Sequence, residues 1–353
     1  MMLPLRTENL RVALAATLEE IPHSGLFLLT DSNVATHVLP KILNVLTDKE
    51  EARIIEIPAG EDNKNLDTLT RVWSSLSEGG ATRNSLLINL GGGVVTDLGG
   101  FAAASFKRGI RFVNIPTTVL GAVDAAVGGK TGIDFNGLKN EIGAFANAEC
   151  VIISSEPLAT LPREEILSGL GEIVKTAMIS SGELYQKVLD DKILSDMNLL
   201  QDAMAECVRF KARVTEEDPH ESGLRKILNF GHTAGHALES LMLTRHTPVT
   251  HGCAVANGIL VALILSHMHL SLQSDQIYLY KDRILQHYFP PIPFTCKDYD
   301  KLAEIISHDK KNSASSDWKF VLLSAIGTPH RDISVSKEDL FTALDIYKDL
   351  TGI

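Results

Sequence analysis

Along the first half of the chain, short apolar runs alternate with stretches whose apolar residues recur every three or four positions. GLFLLTDSNV (25–34) reads as a strand ending in a polar turn, and ATHVLPKILNVL (35–46) as the helix after it. ARIIEIP (52–58) is a second strand, followed by the polar loop AGEDNKN (59–65) and a helix over LDTLTRVWSSLSEGG (66–80). SLLINL (85–90) runs into GGGVVTDLGG (91–100), then a small-residue helix over LGGFAAASFKRG (98–109) and a strand at FVNIP (112–116). Strands alternating with helices predict a parallel sheet covered on both faces, because each crossover carries a helix.

After CVIISSEPLATLP (150–162) the pattern changes. From Arg163 to about Leu285 the periodicity is helical, in FKARVTEED, LRKILNFGHTAGHALESLM and AVANGILVALILSHMHL, and FPPIPF (289–294) reads as a linker or sharp turn. A boundary falls near 155–162, giving an α/β domain over 1–158 and a mainly helical domain over 159–353. The 353-residue length suits two domains. A net charge of −11 argues against a broad nucleic-acid surface, and an anionic substrate would need a local basic pocket. The N-terminus shows no secretory signal and no apolar run approaches a membrane span, so no membrane partner and a cytoplasmic location are expected. Cys150, Cys207, Cys253 and Cys296 form no CxxC pair, which fits free thiols in a reducing compartment.

GGGVVTDLGG sits between a strand and a helix, where backbone N–H groups face an anion and glycine lets a phosphate approach. The dinucleotide pattern G-x-G-x-x-G would want glycine at 96, and the chain has Thr96. The stretch alone is therefore either a nucleotide turn or a tight turn for helix–sheet packing. Asp31, Glu61 and Lys64 lie in turns or loops after strands, as do Thr117, Thr118, Asp124 and Lys130 in PTTVLGAVDAAVGGKTG. Asp97 opens the following helix, where a carboxylate is favoured by the N-terminal dipole. Polar clusters at strand ends suit ligand binding at the carboxyl edge of an open sheet.

In the helical half, NFGHTAGHALE places His232 and His236 four residues apart on one face. They either share a metal or divide into a ligand and an acid–base group. His251 opens the next apolar helix, and Glu172 interrupts another, where an unpaired carboxylate would be costly. Glu172, His232 and His251 would make a mixed carboxylate–imidazole metal site. Cations recur in the same segments: Lys175 on the Glu172 face, Lys211 in RFKARV, and Arg225 with Asn229 and His232 on one helical face. Arg108, Lys130, Lys139 and Asn140 come from the first domain. Cations beside a metal, in an acidic chain, point to a small phosphorylated or carboxylated substrate.

GGGVVTDLGGFAAASFKRG, PTTVLGAVDAAVGGKTG, LKNEIGAF, GLGEIVKTA, GLRKILNFGHTAGHALE and HGCAVANG, in this order and spacing, resemble the 3-dehydroquinate synthases from about Asp31 to the DKKN stretch at 309–312. These belong to a superfamily with sugar-phosphate cyclases and with glycerol and iron-type alcohol dehydrogenases. The resemblance implies a dehydroquinate synthase-like fold: a Rossmann-like parallel-sheet domain and a helical domain. It implies conversion of 3-deoxy-D-arabino-heptulosonate 7-phosphate to 3-dehydroquinate and phosphate, the second step of the shikimate pathway. The route is transient oxidation by NAD, phosphate β-elimination with the substrate's own phosphate as base, re-reduction and intramolecular aldol closure, with zinc or cobalt bound. Matching positions make Glu172, His232 and His251 the metal ligands. Asp31, Glu61, Lys64, Gly92, Gly93, Asp97, Thr117, Thr118, Asp124, Lys130 and Lys139 fall at NAD positions. Lys130, Asn140, Lys175, Lys211, Arg225, Asn229, His236 and either Lys310 or Lys311 line the substrate pocket, with Arg225, Asn229 and Asn140 as the contacts that favour the heptulosonate. Arg108 matches an arginine that reaches the neighbouring subunit's site, implying a homodimer. The chain departs from the family at Cys253, where HGCAV replaces HGEAV, and at NGLKN (136–140), where PLGKN is usual. Another sugar-phosphate cyclase, or an NAD- and metal-dependent polyol dehydrogenase, is the alternative.

Overall fold

The computed structural model describes residues 5–47, 51–136, 138–308 and 317–353. The chain divides into two compact units, one of Met1–Pro162 with Met204–Glu216 and one of Arg163–Ala203 with Glu217–Ile353. The first unit is built on strands β1 (Leu5–Thr7), β2 (Leu26–Asp31), β3 (Arg53–Ile57), β4 (Leu86–Gly91), β5 (Arg111–Pro116) and β8 (Cys150–Ser154), with a hairpin of β6 (Lys130–Phe135) and β7 (Leu138–Phe145) between the last two. The six-stranded sheet has the order β1-β8-β5-β4-β2-β3, and its pairs are parallel. That agrees with the crossover pattern read from the sequence. Helices α1 (Leu10–Glu20), α2 (Ser32–His37), α3 (Leu39–Thr47), α4 (Leu66–Glu78) and α5 (Gly93–Ser105) make the crossovers. Leu14 and Ile42 close a core over Leu28, Ile88, Val113 and Ile152.

Two helix readings change in this unit. ATHVLPKILNVL forms two helices that break at Val38, because Pro40 has no N–H to continue the first ladder and fits the first turn of the second helix, where no N–H is needed. The helix after the glycines begins at Gly93, so Asp97 lies one turn inside it and is not its opening residue. The β6–β7 hairpin was not anticipated: β7 is exposed along its length and shows no buried alternation.

In the second unit, α6 (Arg163–Ser180), α7 (Gly182–Val188), the start of α8 (Met197–Glu217), α9 (His232–Thr244) and α10 (His251–Leu270) are joined by a C-terminal antiparallel pair, β9 (Trp318–Ala325) and β10 (Thr328–Val335). The α10 helix is long and apolar enough to cross a bilayer, contrary to the expectation that no such stretch exists, but it is buried as the core helix of this unit. It packs on α6 and α9 at glycines. A Cβ at Gly252 would overlap the Ser168 carbonyl, one at Gly171 would overlap Gly252, and one at Gly258 would overlap Gly231 and Gly235. Backbones therefore meet directly at both crossings. LRKILNFGHTAGHALESLM is not one helix: Leu224–Asn229 is a 3-10 turn, and Gly231 at φ 76 separates it from α9. Arg225 and Asn229 thus do not share a helical face with His232.

Candidate active site

The order of strands reverses between β2 and β4: the chain moves outward from β2 to β3, then returns to the other side of β2. Open parallel sheets bind ligands in the crevice at the carboxyl ends of such a pair. Asp31 ends β2 and Gly91 ends β4. Asp31 Oδ1 accepts from Asn33 N and Val34 N at 3.0 Å each, so one carboxylate oxygen caps α2. Gly92 caps α5 without a side chain, and a Cβ there would stand 3.2 Å from Thr118 Cγ2. Thr118 Oγ1 accepts from Gly121 N at 2.9 Å, and Thr117 N bonds the Gly91 carbonyl at 3.0 Å, which ties the two strand-end turns together.

Thr96, the residue that breaks the dinucleotide pattern, is buried and bonds back to the Gly93 carbonyl at 3.1 Å. Close helix–sheet packing is supplied one turn later, where a Cβ at Gly99 would overlap Asn89 and one at Gly100 would overlap Thr131. The missing glycine is thus compensated within the same helix.

Lys64 is 4% exposed, with its ammonium 2.6 Å from Asp97 Oδ2 and 2.6 Å from Asn140 Oδ1. Asn140 has left-handed backbone at φ 52, and its N–H bonds Asp134 Oδ1 at 2.8 Å. Burial pushes the Asp97 carboxyl up to about 6 despite the lysine beside it. Lys139 lies on the exposed hairpin, 3.9 Å from Glu61. Lys130 opens β6 and is exposed. Lys211, on the part of α8 that belongs to the first unit, donates to the Asp124 carbonyl at 2.6 Å and to its carboxylate. Arg108 is exposed in a tight turn at φ 67, after Lys107 at φ 50.

In the second unit, Glu172 follows Gly171, His251 precedes Gly252, His232 follows Gly231 and His236 follows Gly235. The glycine crossings therefore bring these four side chains together. His232, His236 and His251 each offer a ring nitrogen within 4.8 Å of the others. Glu172 is 1% exposed, and its Oε1 lies 3.2 Å from His232 Nε2 and 3.4 Å from His251 Nε2. That oxygen has no aligned hydrogen-bond donor, while Oε2 holds Lys175 Nζ at 2.7 Å. Burial alone would raise the Glu172 carboxyl, but Lys175 and the two imidazoles hold it well below the usual carboxylate value. Burial lowers His232, whereas His251 rises to about 10 against burial because it faces both Glu172 and Glu239. Glu239 Oε2 is 3.2 Å from His251 Nδ1, and the sequence pattern did not single it out although it lies one helical turn after His236 on α9.

Arg225 is buried, its Nη1 donates to the Pro219 carbonyl at 2.8 Å, and its backbone N–H bonds Asp218 Oδ2 at 3.0 Å. Asn229 Nδ2 donates to Glu221 Oε1 at 2.6 Å. Lys310 and Lys311 lie outside the described residues. Cys253 is buried, its thiol pushed up to about 11 by burial, so it is a poor nucleophile beside His251.

Residues 54–168 match the model for the 3-dehydroquinate synthase N-terminal family, and residues 169–312 the one for the 3-dehydroquinate synthase C-terminal family. The chain is 44% identical over 351 residues to the 3-dehydroquinate synthase of Parabacteroides distasonis, covering 98% of both chains. This chain belongs to the 3-dehydroquinate synthase family. Its activity is that family's, a carbon–oxygen lyase reaction of the shikimate pathway. The Clostridium tetani 3-dehydroquinate synthase is 38% identical over 92% of this chain and 86% of its own. The fold is shared with a 2-deoxy-scyllo-inosose synthase in complex with carbaglucose-6-phosphate, NAD+ and Co2+, at TM-score 0.86 and 22% identity over 98% of this chain and 96% of that one. It is shared also with the 2-epi-5-epi-valiolone synthase of Streptomyces hygroscopicus, solved with NAD+ and Zn2+, at TM-score 0.87 and 23% identity over the same shares. The expected sheet domain and helical domain are those of the family. Its three clustered imidazoles are able to hold a metal ion.

Proposed function

We propose that this chain converts 3-deoxy-D-arabino-heptulosonate 7-phosphate to 3-dehydroquinate and phosphate, using NAD and one zinc or cobalt ion, as a cytoplasmic homodimer. The observation that carries the reading is Glu172 Oε1: a buried carboxylate oxygen, turned toward two imidazole nitrogens, without an aligned donor. A cation bound by Glu172, His232 and His251 would satisfy it, and that donor set suits zinc or cobalt with positions left for substrate oxygens. The fold relatives with NAD+ and Co2+ or Zn2+ support the same cofactors here. When bound, the metal polarises adjacent substrate oxygens, and NAD takes up and returns a hydride.

The chain's own residues have distinct tasks. Glu239 holds His251 by Nδ1, which would leave Nε2 as the nitrogen that a metal could use. His236, whose ring centroid is 5.2 Å from that of His232, moves the proton of the hydroxyl that becomes the ketone. Lys175, fixed on Glu172, and Arg225, fixed on Pro219, bring permanent positive charge to the substrate's anionic groups, together with Lys130. Asn140, Lys211 and Asn229, with one lysine of the pair Lys310 and Lys311, complete the substrate contacts. No side chain is assigned as base at the carbon beside the ketone; the substrate's phosphate takes that proton.

Asp31, Glu61, Lys64, Gly92, Gly93, Asp97, Thr117, Thr118, Asp124, Lys130 and Lys139 are assigned to NAD. The strand reversal at β2 and β4 supports this, because it gathers Asp31 and the glycine turn at one sheet edge. The exposed left-handed turn at Arg108 supports its reach into a neighbouring subunit. Leu138 and Phe145, 55% and 57% exposed on the hairpin, support an association face. Incubating purified protein with NAD, zinc and the heptulosonate phosphate should release phosphate without net NADH. Net NADH would indicate a polyol dehydrogenase, and phosphate release only from another sugar phosphate would indicate a sister cyclase.

A further inference from the structure

Just before the two turns at the carboxyl edge of the sheet, β4 and β5 each carry an amide where a parallel sheet ordinarily buries apolar side chains. Asn89 and Asn114 are partners in register, two residues before Gly91 and Pro116 respectively, and are 0% and 4% exposed. Asn89 Nδ2 donates to Asn114 Oδ1 at 2.9 Å, and Asn114 Nδ2 donates to the Ala126 carbonyl at 3.2 Å.

The direction of this chain is set at its far end. A carbonyl only accepts, so Ala126 takes the Asn114 N–H group and turns the Asn114 oxygen toward β4, where it requires the N–H group of Asn89. The Asn89 oxygen is left toward α5, with no hydrogen-bond donor among the described residues. A Cβ at Gly99 would overlap that oxygen, so a side chain there would push α5 off β4, and the Gly99 Cα–H takes the place instead.

Ala126 closes a π-turn over Gly121–Ala125, its N–H bonded to the Gly121 carbonyl at 2.9 Å. Such turns are rare and recur at functional sites. This one carries Asp124, whose carbonyl and carboxylate accept from Lys211. Lys211 holds the turn at Asp124, and Asn114 ties its end to the sheet. Burying two amides carries a desolvation cost that β-branched apolar residues at the same strand positions would not, so what the pair supplies is position rather than stability.

We propose that Asn89 and Asn114 are positioning residues, a directed amide pair that sets the Asp124 turn and α5 against the ends of β4 and β5. They act through Asp124 and the glycine turn. The proposal rests on the assignment of that edge to NAD.

The test uses the zinc-loaded protein and reads hydrogen exchange without NAD, then NAD affinity by calorimetry. Asn89→Val combined with Asn114→Val replaces both amides at once and leaves neither unpaired, a change close to neutral for stability. The double variant should keep its zinc and its melting temperature. Exchange at the Ala126 and Val127 amides, whose N–H groups close the turn, should quicken while exchange along β2 stays as in wild type. NAD should bind about 10-fold more weakly. Unchanged exchange at both amides would overturn the positioning role. Faster exchange with wild-type NAD affinity would overturn the cofactor assignment on which the proposal rests, while leaving the turn tied by the pair. Should the double variant fail to fold, Asn89→Ala decides, because it removes only the group that orients Asn114. The same two amides should again exchange faster, and wild-type exchange there would overturn the proposal.

Discussion

Gly252 lies so close to the Ser168 carbonyl oxygen that any side chain at 252 would have to push α10 away from α6. Since Glu172 and His251 flank the glycines of that crossing, the helix spacing also sets the spacing of these two side chains. Gly252→Ala is expected to cost about 1–3 kcal/mol of stability through overpacking. It should also lower zinc content, because His251 moves with the backbone. Thermal melting and metal analysis of the same preparation check this. An alanine variant with wild-type melting and a full complement of zinc would contradict it.

His251→Ala should abolish metal content and phosphate release together. Loss of partners beyond the ligands typically costs 10- to 100-fold, so loss of a ligand is expected to cost at least about 100-fold in activity. Chelation of the wild-type protein should give the same phenotype, reversed by zinc or cobalt. Glu239→Ala, which frees His251 Nδ1, should keep the activity at saturating zinc but weaken zinc affinity about 10- to 100-fold. Titration of the apo-protein with zinc separates the two variants.

Asp97 and Asp218 should tilt stability in opposite directions with pH. Burial raises the folded-state value of Asp97 to about 6 from 3.8, so the folded protein holds this proton more tightly than the unfolded chain. Its contribution is therefore greatest below the unfolded value and declines as pH rises through about 6. Burial would raise Asp218 too, but backbone N–H groups of Gly223, Arg225 and Ser222 bring it down to about 2 from 3.8. Its contribution is present above 3.8 and lost as pH falls toward about 2. Urea titrations across pH should show that Asp97→Asn removes the decline between about 4 and 6, and Asp218→Asn the acid loss. Identical slopes in both variants and wild type would refute this.

Tyr347 Oη donates to Asn257 Oδ1 at 2.5 Å and accepts from Ile292 N at 3.0 Å, all within the core of the second unit. Tyr347→Phe leaves a buried donor and acceptor poorly satisfied, which should cost about 1–3 kcal/mol. Denaturant unfolding should register the loss, and kcat at 25 °C should not.

The sequence made the repeating strand–helix order legible because apolar period carries it directly, and the four converging groups Glu172, His232, His236 and His251 were each visible as polar interruptions of apolar helices. What was hidden depends on backbone conformation. Arg225, Asn229 and His232 fit a helical spacing, but Gly231 in the left-handed region breaks that helix and gives the first two their own scaffold. The sequence pattern does not single out Glu221, whose left-handed backbone beside Asn229 appears only in the fold. Lys64 looked like a cofactor contact, and its burial between Asp97 and Asn140 needs three distant segments to be brought together. Thr96 looked like a defect in a fingerprint because the compensating closeness of Gly99 to Asn89 exists only in three dimensions.

Chain order has a bearing on α10, the most apolar helix of the second unit. Its glycine-matched partners α6 and α9 both precede it. During synthesis, the segment most prone to aggregate or to be taken for a membrane anchor thus leaves the ribosome after the surfaces that cover it have been made. The segment Ser274–Leu285, β9 and the helix Lys337–Thr351 arrive later to complete its packing.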